Sequence, residues 1–298
     1  MAFVLITGAE GFTGRHLITR LAAEGHELHG LVHREGAPID GLAGQHVADL
    51  RDPAAMTALV AAVRPERVVH LAGIAFVAHD DVRALYETNV LGTRNLLHAL
   101  AALAQPPAAV MLASSANVYG NRREGVLTED LPPAPANDYG VTKMACEHLA
   151  GVYADRLPII TVRPFNYTGR GQAGQFVVPK IIAHARARQT VIELGNIGVA
   201  RDFSDVRAVV DAYARLLVEP AAIGGLFNVC SGVARPLSEI IGLVEQLAGI
   251  RFEVRVNPAA VRADEVRSLC GSRARLEAVI GALETPTIEE TLAWMLDE

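Results

Sequence analysis

Two side chains that can transfer a proton, Tyr139 and Lys143, stand four residues apart in the segment Tyr-Gly-Val-Thr-Lys. On a helix this spacing places the phenol and the ammonium group on one face. The cation favours the phenolate and is expected to lower the tyrosine pKa, which would make Tyr139 a general acid and base. Ser115, just beyond a hydrophobic segment, could hydrogen-bond the same substrate oxygen. Taken alone, a Tyr-x-x-x-Lys pair is more often an ordinary surface pair.

Alternating strands and helices are the elements that would position these residues. Short β-branched runs are separated by longer helical patterns, which predicts parallel strands with crossover helices. Long helices are expected over residues 81–104 and 139–155. The strands are expected at residues 3–7, 27–32, 45–48, 67–71, 108–114 and 158–163.

This alternation predicts an α/β fold with a Rossmann-type, doubly wound parallel sheet and a smaller C-terminal α/β substrate domain. We place the NADP-binding domain at residues 1–165 and the substrate domain at 166–298. A basic amphipathic helix is expected over residues 176–188, at the start of the second domain. The segment 205–231 could return to the first sheet, so the boundary is left open to be discontinuous.

Composition excludes several classes of protein. Of the 298 residues, 51% are hydrophobic and 20% are charged, which is typical of a globular protein and too apolar for a disordered chain. The formal net charge of −6 argues against a nucleic-acid surface. The uncharged stretch 95–120 contains prolines and polar residues, so we predict no membrane span. The 3 cysteines and scattered histidines show no disulfide or metal pattern, and a reducing, cytoplasmic location is expected.

A glycine-rich turn follows the first predicted strand and leads directly into a helix. Its glycines, Gly8, Gly11 and Gly14, would let the backbone approach a pyrophosphate at the helix N-terminus. Phe12 and Thr13 belong to the same cradle. The spacing is Gly-x-x-Gly-x-x-Gly, and a turn without any ligand is the alternative interpretation.

Residues at the ends of later strands complete the predicted dinucleotide site. The second strand ends at His33 and Arg34 with no carboxylate at its tip, which favours NADP(H), whereas nearby Glu35 leaves NAD(H) open. Arg34 could instead be a solvated surface cation. The remaining predicted contacts are Asp49 and Leu50 at the adenine edge, and Leu71, Ala72 and Gly73 where the cofactor lies close to the fourth strand.

Together these motifs resemble the extended short-chain dehydrogenases that act on nucleotide sugars. The resemblance covers nearly the whole chain and rests on the glycine turn, Ser114-Ser-Ala-Asn-Val-Tyr-Gly120, Tyr139-x-x-x-Lys143 and Arg163-Pro-Phe-Asn166. It implies that Tyr139 protonates a carbonyl, that Lys143 binds the cofactor ribose and tunes Tyr139, and that Ser115 holds the carbonyl oxygen. It also places Asn89 and Arg163 at the cofactor site, although an exposed helix face is an alternative for Asn89.

Ser115, Tyr139 and Lys143 are called the trio below. The residues around them distinguish between the reactions that members of this family perform. The 4,6-dehydratases that this chain resembles carry a carboxylate where it has Ala116 and Asn117. Dehydration is therefore disfavoured, because it needs that carboxylate as an acid or base. The epimerase-reductases of the family use a cysteine and a histidine where this chain has Asn117 and Phe176, which disfavours epimerisation at carbons 3 and 5. Ketone reduction and 4-epimerisation with tightly held NAD therefore remain. A non-catalytic NADP sensor is the rival from another class.

Three longer segments of the second half are Arg163–Gln172, Arg201–Val206 and Phe227–Gly232. Through them the chain most resembles the reductases of GDP-4-keto-6-deoxy-D-mannose, whose product is GDP-D-rhamnose; a 6-deoxytalose product or a dTDP-linked substrate stays open. The resemblance implies a nucleotide diphosphate sugar partner, a homodimer, and diphosphate binding by two arginines, since guanidinium suits phosphate. The implied substrate contacts are Ser115, Asn117, Asn166, Lys180, Arg201 and Arg262. A local Arg201–Asp202 salt bridge and a solvated Arg262 are the competing interpretations.

Overall fold

The computed structural model describes residues 1–75, 81–121, 125–257 and 268–298. Strands and helices in these ranges are numbered in chain order. The strands are β1 (Phe3–Thr7), β2 (Glu27–Val32), β3 (Gly44–Val47), β4 (Arg67–His70), β5 (Ala109–Ala113), β6 (Gly125–Leu127), β7 (Ile159–Pro164), β8 (Asn166–Thr168), β9 (Val191–Leu194), β10 (Ala200–Asp205), β11 (Leu226–Val229), β12 (Ala234–Pro236), β13 (Glu253–Val256) and β14 (Ser268–Gly271). The α-helices are α1 (Phe12–Ala22), α2 (Pro53–Val63), α3 (Val82–Tyr86), α4 (Thr93–Ala101), α5 (Asp138–Tyr153), α6 (Val177–Arg186), α7 (Val206–Val218), α8 (Leu237–Ala248), α9 (Ala274–Ile280) and α10 (Ile288–Leu296).

The main sheet has the strand order β11-β7-β5-β4-β1-β2-β3. Every neighbouring pair in it is parallel. The strand β1 lies between β2 and β4, so the chain order reverses there, and ligands of such sheets bind beyond the carboxyl ends of the strands at this point. The predicted Rossmann-type fold is confirmed.

Continuous hydrophobic runs in the strands bury both faces of this sheet. Successive side chains of a strand point to opposite faces, so Val4 and Ile6 join one core cluster and Leu5 joins another. The first cluster includes residues of α1 and α7, and the second includes residues of α2, α4 and α5. Helices therefore cover both faces of the sheet, so that polar groups can reach a ligand only at its edges.

The helix expected over residues 81–104 is interrupted by a π-helical segment. The π-helix Glu87–Gly92 joins α3 to α4 and buries Asn89 and Gly92. A Cβ atom on Gly92 would lie 2.9 Å from the Cβ of Leu50, so this turn packs tightly against the loop after β3. The wider turn directs the amide of Asn89 inward.

A second region contains a sheet ordered β12-β10-β14-β6, in which β8 also pairs with β10, and a two-stranded sheet of β9 and β13. A hydrophobic cluster beneath them contains residues of α6, α8 and α10. The helix α6 coincides closely with the basic helix that the sequence predicts. No helix in the described ranges is long and apolar enough to cross a membrane.

The chain passes between the two regions in both directions. The strand β11, within the segment 205–231, pairs with β7 at the edge of the main sheet. The strand β6, from the first half of the chain, pairs with β14 in the second region. The expected boundary at residue 165 is thus crossed by β6 as well as by β11, and the division into two domains stays a prediction.

Candidate active site

The glycine turn between β1 and α1 brings backbone against backbone. Gly8 has a φ of +69°, and a Cβ on it would lie 2.9 Å from the backbone of Ala72. A Cβ on Gly14 would lie only 2.4 Å from the carbonyl oxygen of Gly8. The helix α1 begins at Phe12 immediately after the turn, and its first N–H groups lack intrahelical acceptors. This cradle fits the pyrophosphate of a dinucleotide, because the glycines leave room for a close approach and the first N–H groups of α1 can bind an anion.

A buried histidine connects the ends of β1 and β4. The amide of Ala72 donates to Thr7 Oγ1 at 3.1 Å, and Thr7 Oγ1 lies 2.7 Å from His70 Nδ1. On the other side His70 Nε2 lies 2.9 Å from Thr93 Oγ1, which donates to the carbonyl of Asn89 at 2.5 Å. Only one direction satisfies all four bonds: Thr7 donates to Nδ1, and Nε2–H donates to Thr93. Burial, with the Lys143 charge assisting, lowers the His70 pKa to about 3, so the ring stays neutral.

Asn89 holds the segment that follows β4. Its Oδ1 accepts from the amide of Ile74 at 2.8 Å, and its Nδ2 donates to the Ile74 carbonyl at 3.1 Å. The same amide group donates to Thr142 of α5. Asn89 is 1% exposed, which rules out the exposed helix face. It acts on the backbone beside Gly73, where a Cβ would lie 2.9 Å from its Oδ1.

The predicted adenosine residues lie at the ends of β2 and β3. The amide of His33 donates to Glu10 Oε1 at 3.0 Å, which ties the tip of β2 to the glycine turn. Arg34 is exposed beside it. Asp49 forms an ion pair with Arg51 at 2.6 Å, and this hydrogen-bonded cation lowers the Asp49 pKa. Asp49 therefore presents a charged acceptor at the end of β3.

Ser115, Tyr139 and Lys143 come together in the interior, at 6%, 7% and 8% exposure. The Tyr139 hydroxyl is hydrogen-bonded with Ser115. Lys143 Nζ donates to the carbonyl of Ala113, the last residue of β5, at 2.8 Å and lies 5.9 Å from the centre of the Tyr139 ring. The trio thus stands at the carboxyl end of β5, at the edge where the glycine turn also lies.

Burial dominates the electrostatics of the trio. It raises the Tyr139 pKa to about 12, and the hydrogen bond from Ser115 offsets only part of this effect. Burial also lowers the Lys143 pKa. That Lys143 lowers the Tyr139 pKa stays a prediction: in this arrangement its amine donates to the Ala113 carbonyl, and burial of the phenol is the larger effect. The phenol is therefore held in its protonated form, which suits a proton donor.

Arg163 has a different role from the cofactor contact that the sequence suggested. Its Nε and Nη2 donate to both oxygens of Glu147 at 2.8 and 2.7 Å, and its guanidinium lies 4.7 Å from the centre of the Tyr119 ring. Glu147 also accepts from Ser114 Oγ at 2.5 Å. Arg163 is 2% exposed, and two of its guanidinium nitrogens are bonded to Glu147. It therefore connects β7 to α5 and, through Glu147, to the loop that contains Ser114. We correct its assignment to a structural one.

The predicted substrate contacts of the second region are spread over several elements and do not form one cluster like the trio. Asn166 is exposed on β8, and its partner in β10 is Phe203, so Asn166 and Arg201 lie on adjacent strands. Arg201 Nη1 donates to the Ala200 carbonyl at 2.8 Å, and Lys180 Nζ donates to the Glu193 carbonyl at 2.7 Å. Arg262 lies outside the described residues.

Asp202 is held by groups from β11 and β14. Its carboxylate accepts from the amide and hydroxyl of Ser231 at 2.8 and 2.7 Å, and from the amides of Gly232 and Gly271. These four donors, and not a local ion pair, satisfy this buried group. Asp202 thus fastens the second region to the end of β11.

Tyr167 links the glycine turn to β8 and was missed by the sequence analysis. Its hydroxyl lies 2.7 Å from Thr13 Oγ1, and its ring stacks on that of Phe12 with the centres 5.9 Å apart. Burial raises its pKa to about 12. Its place beside Asn166 in the Arg-Pro-Phe-Asn-Tyr segment was the available signal. Thr13 and Phe12, predicted to touch cofactor, also hold the second region.

No group of three or more histidine, cysteine or acidic side chains in the described ranges could hold a metal ion.

The comparisons with known proteins agree with this geometry. The model of the NAD dependent epimerase/dehydratase family matches residues 4–230. A protein named GDP-6-deoxy-D-mannose reductase, from Pseudomonas aeruginosa, is 36% identical over 306 residues, covering 99% of this chain and 96% of its own. One named GDP-6-deoxy-D-talose 4-dehydrogenase, from Aggregatibacter actinomycetemcomitans, is 31% identical over 281 residues, covering 93% of this chain and 91% of its own.

A solved structure shows the same architecture. It is that of RMD from Pseudomonas aeruginosa, complexed with NADPH, with a TM-score of 0.85 and 34% identity. The alignment covers 99% of this chain and 98% of that one.

Proposed function

Since the chain belongs to the NAD dependent epimerase/dehydratase family, we propose that it uses NADPH to reduce the carbon 4 ketone of a nucleotide-linked 4-keto-6-deoxyhexose. The substrate is GDP-4-keto-6-deoxy-D-mannose and the product is GDP-D-rhamnose. One observation carries this proposal: Ser115, Tyr139 and Lys143 are buried together at the carboxyl end of β5, beside the edge where the glycine turn lies. Such a trio suits proton delivery to a ketone oxygen.

The chain's own groups would act as follows. The cofactor, when bound, supplies the hydride to carbon 4. Tyr139 gives its proton to the ketone oxygen, and Ser115 donates a hydrogen bond to the same oxygen. Lys143, whose amine is held at the end of β5, stabilises the phenolate that remains. Ala116 and Asn117 offer no carboxylate for removing a proton from carbon 5, so the reaction ends at the alcohol.

The cofactor preference follows from the end of β2. Arg34 is exposed at the end of β2, where an arginine would accommodate the ribose 2′-phosphate of NADPH. The carboxylate of Glu10 also lies at this tip, but it is bonded to the amide of His33. The similar RMD structure holds NADPH. Glu10, which accepts from the amide of His33, fixes the tip of β2 so that Arg34 projects from a rigid position.

A second product is supported by the relative named for GDP-6-deoxy-D-talose. The talose and mannose products differ only in which face of the same ketone receives the hydride. The trio serves both outcomes, because it acts on the oxygen atom. The face is decided by how the sugar lies in the second region.

We also propose a cytoplasmic homodimer. The helical segment 82–101 and α5 carry three exposed aliphatic side chains, Val82, Leu91 and Val152, at 45%, 51% and 68% exposure. Pairing these faces between two copies would cover them. The free thiols Cys146, Cys230 and Cys270 suit a reducing compartment. An elution volume of a monomer in size-exclusion chromatography would contradict the dimer.

Absorbance of reduced nicotinamide tests the function directly. NADPH and NADH are each offered with GDP- and dTDP-linked 4-keto-6-deoxyhexoses, and the product is identified by proton NMR. We expect stoichiometric loss of NADPH with the GDP sugar and a rhamnose configuration at carbon 4. Sugar interconversion without net loss of NADPH, with NAD copurifying, would replace this proposal by a 4-epimerase. Binding of NADPH with no turnover of any sugar would favour the NADP sensor.

A further inference from the structure

The first turn of α1 forms part of the cofactor cradle, but residues of the second region hold its side chains. The hydroxyls of Thr13 and Tyr167 lie 2.7 Å apart, and the ring of Tyr167 stacks on that of Phe12. One turn later, His16 Nε2 lies 2.9 Å from the carbonyl oxygen of Arg170, in the loop after β8. The turn whose N–H groups would bind a pyrophosphate is therefore attached to the second region.

The strand β8, which carries Tyr167, is short and is paired on one side. It spans only Asn166–Thr168, and β10 is its one paired neighbour among the strands that the structure describes. The side chain of Gln172 bonds to the Tyr167 carbonyl at 3.1 Å and to Thr168 Oγ1 at 2.7 Å, so these two bonds stay within the same segment. The contact of Tyr167 with α1 is therefore a direct constraint on where β8 lies relative to the glycine turn.

The strands β8 and β10 also carry two residues expected to contact the sugar diphosphate, Asn166 and Arg201, which we call the sugar site. Side chains alternate along a strand, so Asn166, which is exposed, points to the face opposite Tyr167. Tyr167 is in register with Ser204 of β10, the strand that begins at Ala200 and includes Arg201. A shift of β8 relative to α1 would thus move the sugar site relative to the cofactor.

Each ligand would order an element that the other ligand needs. A pyrophosphate bound by the first N–H groups of α1 restricts the position of that turn, and a nucleotide diphosphate held by the sugar site restricts β8. Because the two hydroxyls connect these elements, the ligand that binds first meets part of the ordering cost of the second. The expected result is positive cooperativity, in which each ligand raises the affinity for the other by the same factor.

We propose that Tyr167 is a positioning residue, which couples the cofactor cradle to the sugar site through its hydrogen bond with Thr13. This role deepens the proposed function and rests on it for the identity of the two ligands. Neither hydroxyl needs to touch the reacting atoms, because the bond acts on the relative position of α1 and β8. Its signature is the dependence of one affinity on the other ligand.

Calorimetric titration of the full chain with GDP, without NADPH and with saturating NADPH, measures this coupling. GDP has no ketone, so no turnover occurs. In the wild type we expect GDP to bind about fivefold or more tightly with NADPH than without it. Tyr167→Phe keeps the ring stack and Thr13→Val keeps the backbone N–H, and each should reduce the ratio to less than about twofold by removing one hydrogen bond. The double variant should match the single variants, because all three lack the same bond.

Thr19→Val is the matched control. It removes a hydroxyl from the same helix, but Thr19 is exposed and its Oγ1 donates to the Arg15 carbonyl within α1. We expect the wild-type ratio and wild-type turnover. In steady-state kinetics at saturating NADPH, Tyr167→Phe should raise KM for the sugar by a larger factor than it lowers kcat, since it leaves Ser115, Tyr139 and Lys143 in place.

A wild-type ratio that does not differ from unity, or a ratio that both single variants keep, would overturn the coupling. Losses that add in the double variant would also overturn it, because they would be independent effects on packing. The same titrations with dTDP and UDP separate this inference from the proposed function. If one of these bound and GDP did not, the GDP-linked substrate would be contradicted, and the coupling would be measured with the nucleotide that binds. Binding of none of the three would overturn both, whereas cooperative binding without reduction of any ketone sugar would contradict only the proposed function.

Discussion

The catalytic edge of the main sheet and the basic residues of the second region hold their polar groups in different ways. At the edge, Ser115 acts on the Tyr139 hydroxyl, and Lys143 also donates to a main-chain carbonyl, that of Ala113, so the three side chains meet at the end of β5. In the second region, Lys180 and Arg201 donate to main-chain carbonyls. The edge thus brings its groups together before a substrate arrives, whereas Lys180 and Arg201 lie on separate elements, and each carries more N–H donors than the one bonded to a carbonyl.

This contrast has an energetic consequence. Donors fixed in a water-poor site act on developing charge without reorganisation, and they contribute more there than in water. A partly exposed cation such as Lys180 contributes less, because solvent screens its contact with a phosphate. Substitutions at the edge should therefore change kcat strongly, and substitutions among the basic residues should change KM weakly.

Tyr139→Phe tests the catalytic edge with the largest expected effect. General acid catalysis contributes about 100- to 10,000-fold, so kcat for ketone reduction should fall by about 1,000-fold while NADPH still binds. In the wild type the rate should be independent of phenol ionisation from neutral pH to above pH 10, because the donor is protonated below a pKa of about 12. Steady-state kinetics across pH, with cofactor binding by fluorescence, give both quantities. A kcat within threefold of the wild-type value would contradict the role of Tyr139 as the proton donor.

The catalytic edge was the part most accessible from sequence. Tyr139, Lys143 and the glycine turn are local patterns, and strand alternation predicts that each lies at the carboxyl edge of one sheet. The doubly wound sheet follows from the same alternation. The return of residues 205–231 was raised because a helix followed by Leu-Phe-Asn-Val resembles a further crossover.

What the sequence did not reveal depends on partners far along the chain. The ion pair between Arg163 and Glu147 forms only because α5 and β7 are neighbours in the fold. The strand β6 is too short to show a hydrophobic pattern, so its pairing with β14 could not be predicted. The π-helix around Asn89 looks like ordinary helix in periodicity. The raised Tyr139 pKa was missed because the burial that causes it depends on elements outside the local Tyr-x-x-x-Lys pattern.

His70 offers a test of how rigidly the edge is held. Its folded-state pKa of about 3 lies below the ordinary 6.5, so the folded chain loses stability as pH falls below 6.5 towards 3. Linkage sets the slope at no more than about 1.4 kcal/mol per pH unit. His70→Gln should remove this component from urea unfolding curves, and His98→Gln, on the exposed side of α4, should not. Parallel pH profiles for wild type and His70→Gln would show that His70 is not held neutral.

Asp202→Asn examines the second region, where one buried carboxylate accepts from Ser231, Gly232 and Gly271. Either orientation of an amide would place an NH₂ group against N–H donors, at a cost of about 1–3 kcal/mol. We expect that loss in the free energy of unfolding, with KM for the sugar raised more than kcat is lowered. Asp211→Asn, whose partner Arg20 is partly exposed, should cost less than about 1 kcal/mol. If kcat fell by the same factor as KM rose, the second region would contribute to the chemical step as well as to sugar binding, and the contrast between the two regions would fail.

Arg34 lies at the catalytic side of the molecule but on its surface, so it should behave as an intermediate case. Removing one charged contact to a phosphate costs about 1.5–3 kcal/mol. We therefore expect Arg34→Ala to raise KM for NADPH about tenfold or more and to leave KM for NADH within about twofold. Glu35→Gln is the counterpart: a raised KM for NADH there, with no effect at Arg34, would indicate that the site selects NAD.

Lys180→Met should have the smallest effect, and it tests the weaker half of the comparison. The Lys180 amine keeps further N–H donors beside its bond to the Glu193 carbonyl, but it is partly exposed, so solvent screens its attraction to a phosphate. We expect KM for the nucleotide sugar to rise about threefold, as for a partly exposed charge contact worth less than about 1 kcal/mol, with kcat unchanged and the difference lost at high salt. Arg186→Met, at the end of α6 and paired with Glu298, is the control. A tenfold or larger effect at Lys180 would mean that the second region is as preorganised as the catalytic edge.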